Sequence, residues 1–169
     1  MKDYLILDGY NVINGWPQLK ELLVKDLEEA RVQLIEMMAE YQIYKGFDVI
    51  IVFDAHLVKA SMGKDYKVKG VQVIYTKERV TADNYIEKFV MNLSKRDRAS
   101  VVTNDWTEQQ MILGSGAARI PVRELILDYN NCKINIQKET EFLQQKKEFL
   151  SDRLDPSVLG KLEKFRRRS

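Results

Sequence analysis

Three aspartates stand where chemistry could gather. Asp8 closes the apolar run Leu5-Ile6-Leu7, Asp54 closes Val49–Phe53, and Asp105 follows Ala99–Thr103. A fourth, Asp83, falls in the first turn of a helix-like stretch behind the apolar run Val71–Tyr75, and Glu87, four residues on, would share its helix face. Two unit charges ~4 Å apart repel by roughly 4 kcal/mol at an effective dielectric of 20. A set of carboxylates held together therefore calls for a cation. All-oxygen ligands select hard Mg²⁺ or Mn²⁺ with waters left in the shell, and zinc is disfavoured with one histidine and one cysteine in the chain. Such an ion can orient a phosphodiester, activate water and offset charge on a leaving oxygen.

The elements that must position these acids follow from periodicity. Short apolar runs bounded by turn residues read as buried strands. Between them, Lys25–Lys45 carries Leu27, Ala30, Leu34, Met37, Met38, Tyr41 and Tyr44 at helical spacing, with Gly46 as its stop. Gly15-Trp16-Pro17 breaks the chain before it. Thr81 is a candidate N-cap for a helix that turns Tyr85, Ile86, Phe89, Val90 and Leu93 inward. A helix opens near Asn104–Gln109 and ends at Gly114, Ala118–Ile120 is a last short strand, and Pro121 starts a helix through Leu127 or so. Strands alternating with helices predict an α/β fold on a parallel sheet. The carboxyl ends of parallel strands share one edge, where open α/β sheets bind ligands. Asp8, Asp54, Asp83 and Asp105 are thus expected on one rim, provided their strands are neighbours.

Their neighbours suit phosphodiester chemistry. Asn11 and Asn14 can hold a water or a phosphate oxygen, although turn amides also serve local backbone bonding. Thr103 and Asn104 are placed to orient Asp105. Tyr10 and Trp16 suit stacking on unpaired bases or packing under the loop, equally. His56 reads as a loop residue. No Ser/His or Cys/His arrangement offers a protein nucleophile, so the attacking group is expected to be water.

From Ala55 to Gly70 the pattern dissolves into a long basic loop, with Lys59, Lys64, Lys67 and Lys69 as candidate RNA contacts. Bases cluster again at Lys95–Arg98 and at Lys161–Arg168, behind an Asp155-Pro156 break, so a net charge of +2 hides an uneven layout. The chain of 169 residues is 45% hydrophobic and 31% charged, which is globular rather than disordered. It is read as a domain over residues 1–130 with a helical, basic extension over 131–169. No apolar run approaches the ~18 residues of a membrane helix. The start lacks the basic region and cleavage site of a signal peptide. A single cysteine, Cys132, reads as a small semi-buried hydrophobe and fits a reducing compartment. A cytoplasmic protein without a membrane partner is expected.

Leu-Ile-Leu-Asp-Gly-Tyr-Asn-Val-Ile (5–13), Val-Phe-Asp-Ala (52–55), Thr-Ala-Asp-Asn-Tyr-Ile-Glu (81–87) and Val-Thr-Asn-Asp-Trp-Thr-Glu-Gln (102–109) in series resemble the NYN domain of PIN-like nucleases, and more narrowly its YacP-like bacterial branch. The resemblance covers about residues 1–130, and the terminal Leu-Asp-Pro segment also suits the branch. It implies a PIN-like three-layer α/β/α sandwich, a Mg²⁺ or Mn²⁺ site and endoribonuclease activity. Asp8, Asp83 and Asp105, with Asn11, would be catalytic; Asp8, Asp54, Asp83, Asp105 and Glu87 would surround the metal, with Glu87 versus Asp54 as direct ligand left open. It further implies mRNA cut in association with the ribosome, which would give the basic 59–70 stretch and the tail a role as contacts to ribosomal RNA phosphates.

Rival folds fit poorly. A receiver domain wants paired acids after the first strand, where Gly9-Tyr10 stands, and an aspartyl phosphatase wants an acid at Tyr10. No glycine-rich turn follows strand one, so no nucleotide cofactor is expected. The remaining rival is a non-catalytic RNA- or ribosome-binding module on the same fold, against which the intact acids argue.

Overall fold

The chain folds as β1 (Asp3–Asp8), α1 (Gly9–Gly15), α2 (Pro17–Lys25), α3 (Leu27–Lys45), β2 (Asp48–Phe53), β3 (Asp65–Val68), β4 (Val71–Tyr75), α4 (Ala82–Met91), β5 (Arg98–Val102), β6 (Ala118–Ile120) and α5 (Val122–Arg153). This is a computed structural model, and it describes residues 1–54, 65–105, 110, 114, 116–153 and 160.

The six strands form one sheet in the order β3-β4-β2-β1-β5-β6. All neighbours are parallel except β3, which runs antiparallel on β4. β1 is central, with Leu7 opposite Ile51 of β2 on one side and Val102 of β5 on the other. The chain leaves β1 toward β2 and β4, then returns to β5 on the opposite flank. The carboxyl ends of β1 and β5 therefore bracket the switch point, where open α/β sheets form their ligand crevice.

Side chains alternate between the two faces of each strand. Ile6, Ile50, Val52, Ile74 and Val101 meet Ala82, Ile86 and Val90 of α4 in one buried cluster. The alternate positions, Leu5, Leu7, Ile51 and Phe53, are fully buried on the other face, where α1 and α3 pack. The result is the α/β sandwich expected, with helices on both faces.

Two stretches differ from the sequence reading. The turn after Asp8 is a helix, and Trp16 separates α1 from a second helix that begins on Pro17 at its first turn. Asp26 then caps α3, accepting from the N–H groups of Glu28 and Glu29, and Gly46 ends that helix at φ 77°. The stretch read as loop to Gly70 contains β3, joined to β4 by Lys69 and Gly70 at φ 50° and 90°. Positive φ at both central residues marks a type I′ hairpin turn; its lysine hid it, because asparagine or aspartate is the usual signal there. Residues 55–64, with Lys59, Lys64 and His56, lie outside the described residues.

The helix begun at Val122 continues to Arg153, well past Leu127. By packing, the chain divides into Met1–Tyr129 and Asn130–Ser169. Cys132 is buried. Among the described residues no helix is long and apolar enough to cross a membrane. The Asp155-Pro156 break, the basic tail, and most of the helix expected behind Asp105 lie outside the described residues.

Candidate active site

Asp8 ends β1 and caps α1 at once: its Oδ1 accepts the Asn11 N–H at 3.3 Å. Gly9 follows because nothing larger fits. A Cβ there would lie 2.3 Å from Cε1 of Phe53, a ring with no exposed surface. The strand-to-helix step is thus made against Phe53, and it holds the Asp8 carboxyl at the edge of the sheet.

Asp54 and Asp83 arrive together. Thr81 caps α4 by accepting the Asn84 N–H, as the sequence predicts, and Asp83 occupies the first turn. Asp54 Oδ1 accepts the Ala82 N–H at 3.1 Å, tying the end of β2 to the start of α4. On the far side of β1, the buried Thr103 Oγ1 accepts the Asp105 N–H at 3.0 Å, so threonine fixes the backbone that carries this acid. Asn11 Oδ1 accepts the Asn104 N–H at 2.7 Å, and Asn104 Oδ1 accepts the Val122 N–H at 3.0 Å. These bonds join α1, the segment after β5 and the start of α5 in one line. Asn104 as a link to α5 escaped the sequence reading; its only signal was an amide directly behind a strand.

Asp8 and Asp83 register the other acids. Burial pushes the Asp8 carboxyl up to about 7, helped by the charges of Asp83, Asp54 and Asp105 and opposed by the Asn11 N–H. Asp83 is raised too, by burial and then by Asp105 and Asp54. Glu87, one helical turn along α4, is not among the charges that raise either acid. The donor set is all hard oxygen and suits Mg²⁺ or Mn²⁺. Among the described residues, no three His, Cys, Asp or Glu side chains stand in a ready ligand array. An ion held through one or two carboxylates and several waters, the habit of Mg²⁺, fits this looser set.

Other candidates are placed elsewhere. Tyr10 is corrected from base stacking to core packing. It is 9% exposed, its ring lies 5.1 Å from that of Phe53, and its hydroxyl accepts from Arg31 Nη1 at 2.8 Å. Trp16 is buried against Tyr129. Asn14 is exposed, with its amide N–H donated to the Tyr10 carbonyl. Lys67 and Lys69 are carried away from the acids, because antiparallel β3 enters at Asp65 opposite Ile74 and leaves at Val68 opposite Val71. Lys69 also pairs with Glu36 at 2.9 Å. Lys67 and Lys69 are therefore not rim contacts.

Residues 5–167 match the YacP-like NYN domain family. Over 166 residues the chain is 44% identical to the uncharacterized protein YacP of Bacillus subtilis (strain 168), covering 98% of this chain and 97% of that protein. A crystal structure of Rae1 (YacP) from Bacillus subtilis matches with a TM-score of 0.75 at 43% identity, over 98% of this chain and 95% of that one. A crystal structure of a point mutant of Rae1 matches with a TM-score of 0.73 at 43% identity, over 84% and 83% of the two chains.

Proposed function

Because the chain belongs to the YacP-like NYN domain family, whose domain is nuclease-like, we propose that it is a metal-dependent endoribonuclease. Its substrate is single-stranded RNA, specifically mRNA cut in association with the ribosome in the cytoplasm. The observation that carries the reading is the convergence of Asp8, Asp54, Asp83 and Asp105 on the rim at the switch point, with Asp8 raised to about 7 by burial and by the other three. A protein that only bound RNA would gain nothing from turning this charge toward phosphates.

Asp8, Asp83 and Asp105 would hold Mg²⁺ or Mn²⁺, with Asp54 braced on the α4 N-terminus beside them and Glu87 one turn behind. The bound cation supplies Lewis-acid polarisation of the phosphodiester and activation of water. The chain supplies position. Asp8 is fixed by its place as cap of α1, Asp105 by Thr103, and Asn11 holds the two sides of the crevice together through Asn104. Ionised Asp8 is the form that binds metal, so loading and proton release are linked there.

The experiment maps RNA 5′ ends with purified protein and Mg²⁺ on one message, naked and under translation, using wild type and Asp83→Asn. Cuts on the translated message alone, absent from the mutant, are the expected result. Cuts on naked RNA as well would remove the ribosome from the reading. Cuts that persist in Asp83→Asn would remove the acids, and no cuts by wild type on either form would leave a binding module.

A further inference from the structure

Four carboxylates repel a polyanion, so a rim of this kind needs cations placed to receive phosphates around it. Lys67 of β3 and Lys69 of the turn after it do not provide them, since that strand leads away from the rim. Two arginines are placed differently.

Arg119 lies on β6 in register with Val101, whose side chain belongs to the cluster packed on α4. Neighbours in parallel register share a face, so Arg119 stands on the α4 face. It reaches past the end of β5, where its Nε–H donates to the Thr103 carbonyl at 3.3 Å. The Thr103 hydroxyl accepts the Asp105 N–H, so the guanidinium is tied to the segment that carries an acid. An arginine held through Nε keeps its two Nη groups as a fork suited to phosphate. Among the described residues no carboxylate meets it.

Arg79 stands at the other end of the rim. Residues 76–81 run along the sheet edge: the Thr76 N–H bonds the Phe53 carbonyl, and Ala82 bonds Asp54. Within that run the Val80 N–H closes a turn on the Lys77 carbonyl, and Arg79 sits inside it at φ 70°. Glycine is the usual occupant of that left-handed region. Arg79 is exposed and, among the described residues, joins no ion pair. A strained side chain kept in solvent, two residues before the cap of the helix that carries Asp83, points to a use outside the fold.

We propose that Arg79 and Arg119 hold RNA phosphates on either side of the cut, so that the strand crosses the carboxyl edge of the sheet from the β4–α4 turn to β6. This rests on the nuclease reading above and gives that site its substrate path. β4, β2, β1, β5 and β6 are successive neighbours, and their four intervals span roughly 19 Å at about 4.8 Å each. The footprint is a few nucleotides, with the four aspartates between the arginines.

The test uses the full chain and a fluorescein-labelled single-stranded RNA of mixed sequence. Binding is followed by anisotropy over a KCl series with Ca²⁺ in place of Mg²⁺, and cleavage of the translated message is followed in parallel with Mg²⁺. Arg119→Gln and Arg79→Gly should each lower the slope of log K against log salt by about 0.7, one phosphate contact on a single strand. Each should raise KM several-fold while kcat changes little. Arg79→Gly should melt at or above wild type, because glycine relieves the left-handed φ, so its lost affinity is not lost folding. Arg79→Lys should restore the slope. Arg119→Lys should restore the slope without the full affinity, lacking the fork and the Nε contact. If wild type binds and cuts while Arg119→Gln and Arg79→Gly keep its slope and KM, the arginines do not hold phosphates and the nuclease reading stands without them. If wild type neither binds this RNA nor cuts the translated message, both readings fall together.

Discussion

Asn11 Oδ1 accepts the backbone N–H of Asn104 at 2.7 Å across a sequence separation of 93 residues. The bond bridges the two sides of the switch-point crevice, and Asn104 passes the connection on to Val122 at the start of α5. Asn11→Ala should cost about 1 kcal/mol, the usual net worth of one hydrogen bond. Cleavage should fall much further, because Asp105 loses its brace against α1. Denaturant unfolding and cleavage rates on the same preparation check the split; equal losses in both would reduce Asn11 to a structural residue.

The raised Asp8 carboxyl sets a pH dependence. The folded state binds this proton more tightly than the unfolded chain, so its stabilising effect is complete below the unfolded value of 3.8 and is lost as pH rises to about 7. Metal-free protein should therefore lose up to about 4 kcal/mol between those limits, at 1.36 kcal/mol per unit. Asp83 contributes in the same direction. Asp8→Asn should flatten the profile, raise the melting temperature near neutral pH, and weaken stabilisation by Mn²⁺. In wild type that stabilisation should grow as pH climbs through about 7. Melting curves in EDTA and in Mn²⁺ from pH 5 to 8 check all three; a lower-melting mutant with an unchanged Mn²⁺ shift would mean the acids share no site.

Gly9 is required by space. The added methyl of Gly9→Ala would sit 2.3 Å from a ring carbon of buried Phe53, so it should cost about 1–3 kcal/mol through overpacking. The displacement acts on Asp8, so Mn²⁺ stabilisation should fall as well. Phe53→Leu in the same chain should recover part of both losses, a coupling that a double-mutant cycle measures. Additive effects would locate the strain elsewhere.

Lys69 offers the contrast to Arg119. Its ion pair with Glu36 is exposed and far from the acids along β3. Lys69→Ala should change stability by less than about 0.5 kcal/mol. The salt slope of RNA binding should stay at the wild-type value, and a slope reduced as in Arg119→Gln would return Lys69 to the RNA path.

Local pattern placed the acids at the ends of strands and the start of a helix. Asp8, Asp54 and Asp105 each follow an apolar strand, Asp83 follows a cap, and parallel strands must share a carboxyl edge, so a common rim was legible on the condition that their strands are neighbours, which the strand order decides. The unbroken apolar runs of β1 and β2 likewise announced buried strands, and Thr81 and Gly46 announced helix ends. Tertiary structure alone decided the rest. Periodicity reports that a residue is buried or paired but not against what, so Tyr10 could not be told from a stacking surface until α1 lay on Phe53. The direction of β3 depends on a two-residue turn and a partner strand, and that direction moved Lys67 and Lys69 off the rim. Asn11 and Asn104 meet only because β5 returns to the flank of β1, a pairing set by the strand order and carried by no local pattern. For the same reason Arg119, the middle residue of a three-residue strand in appearance like any other, reaches the rim only through its register with β5.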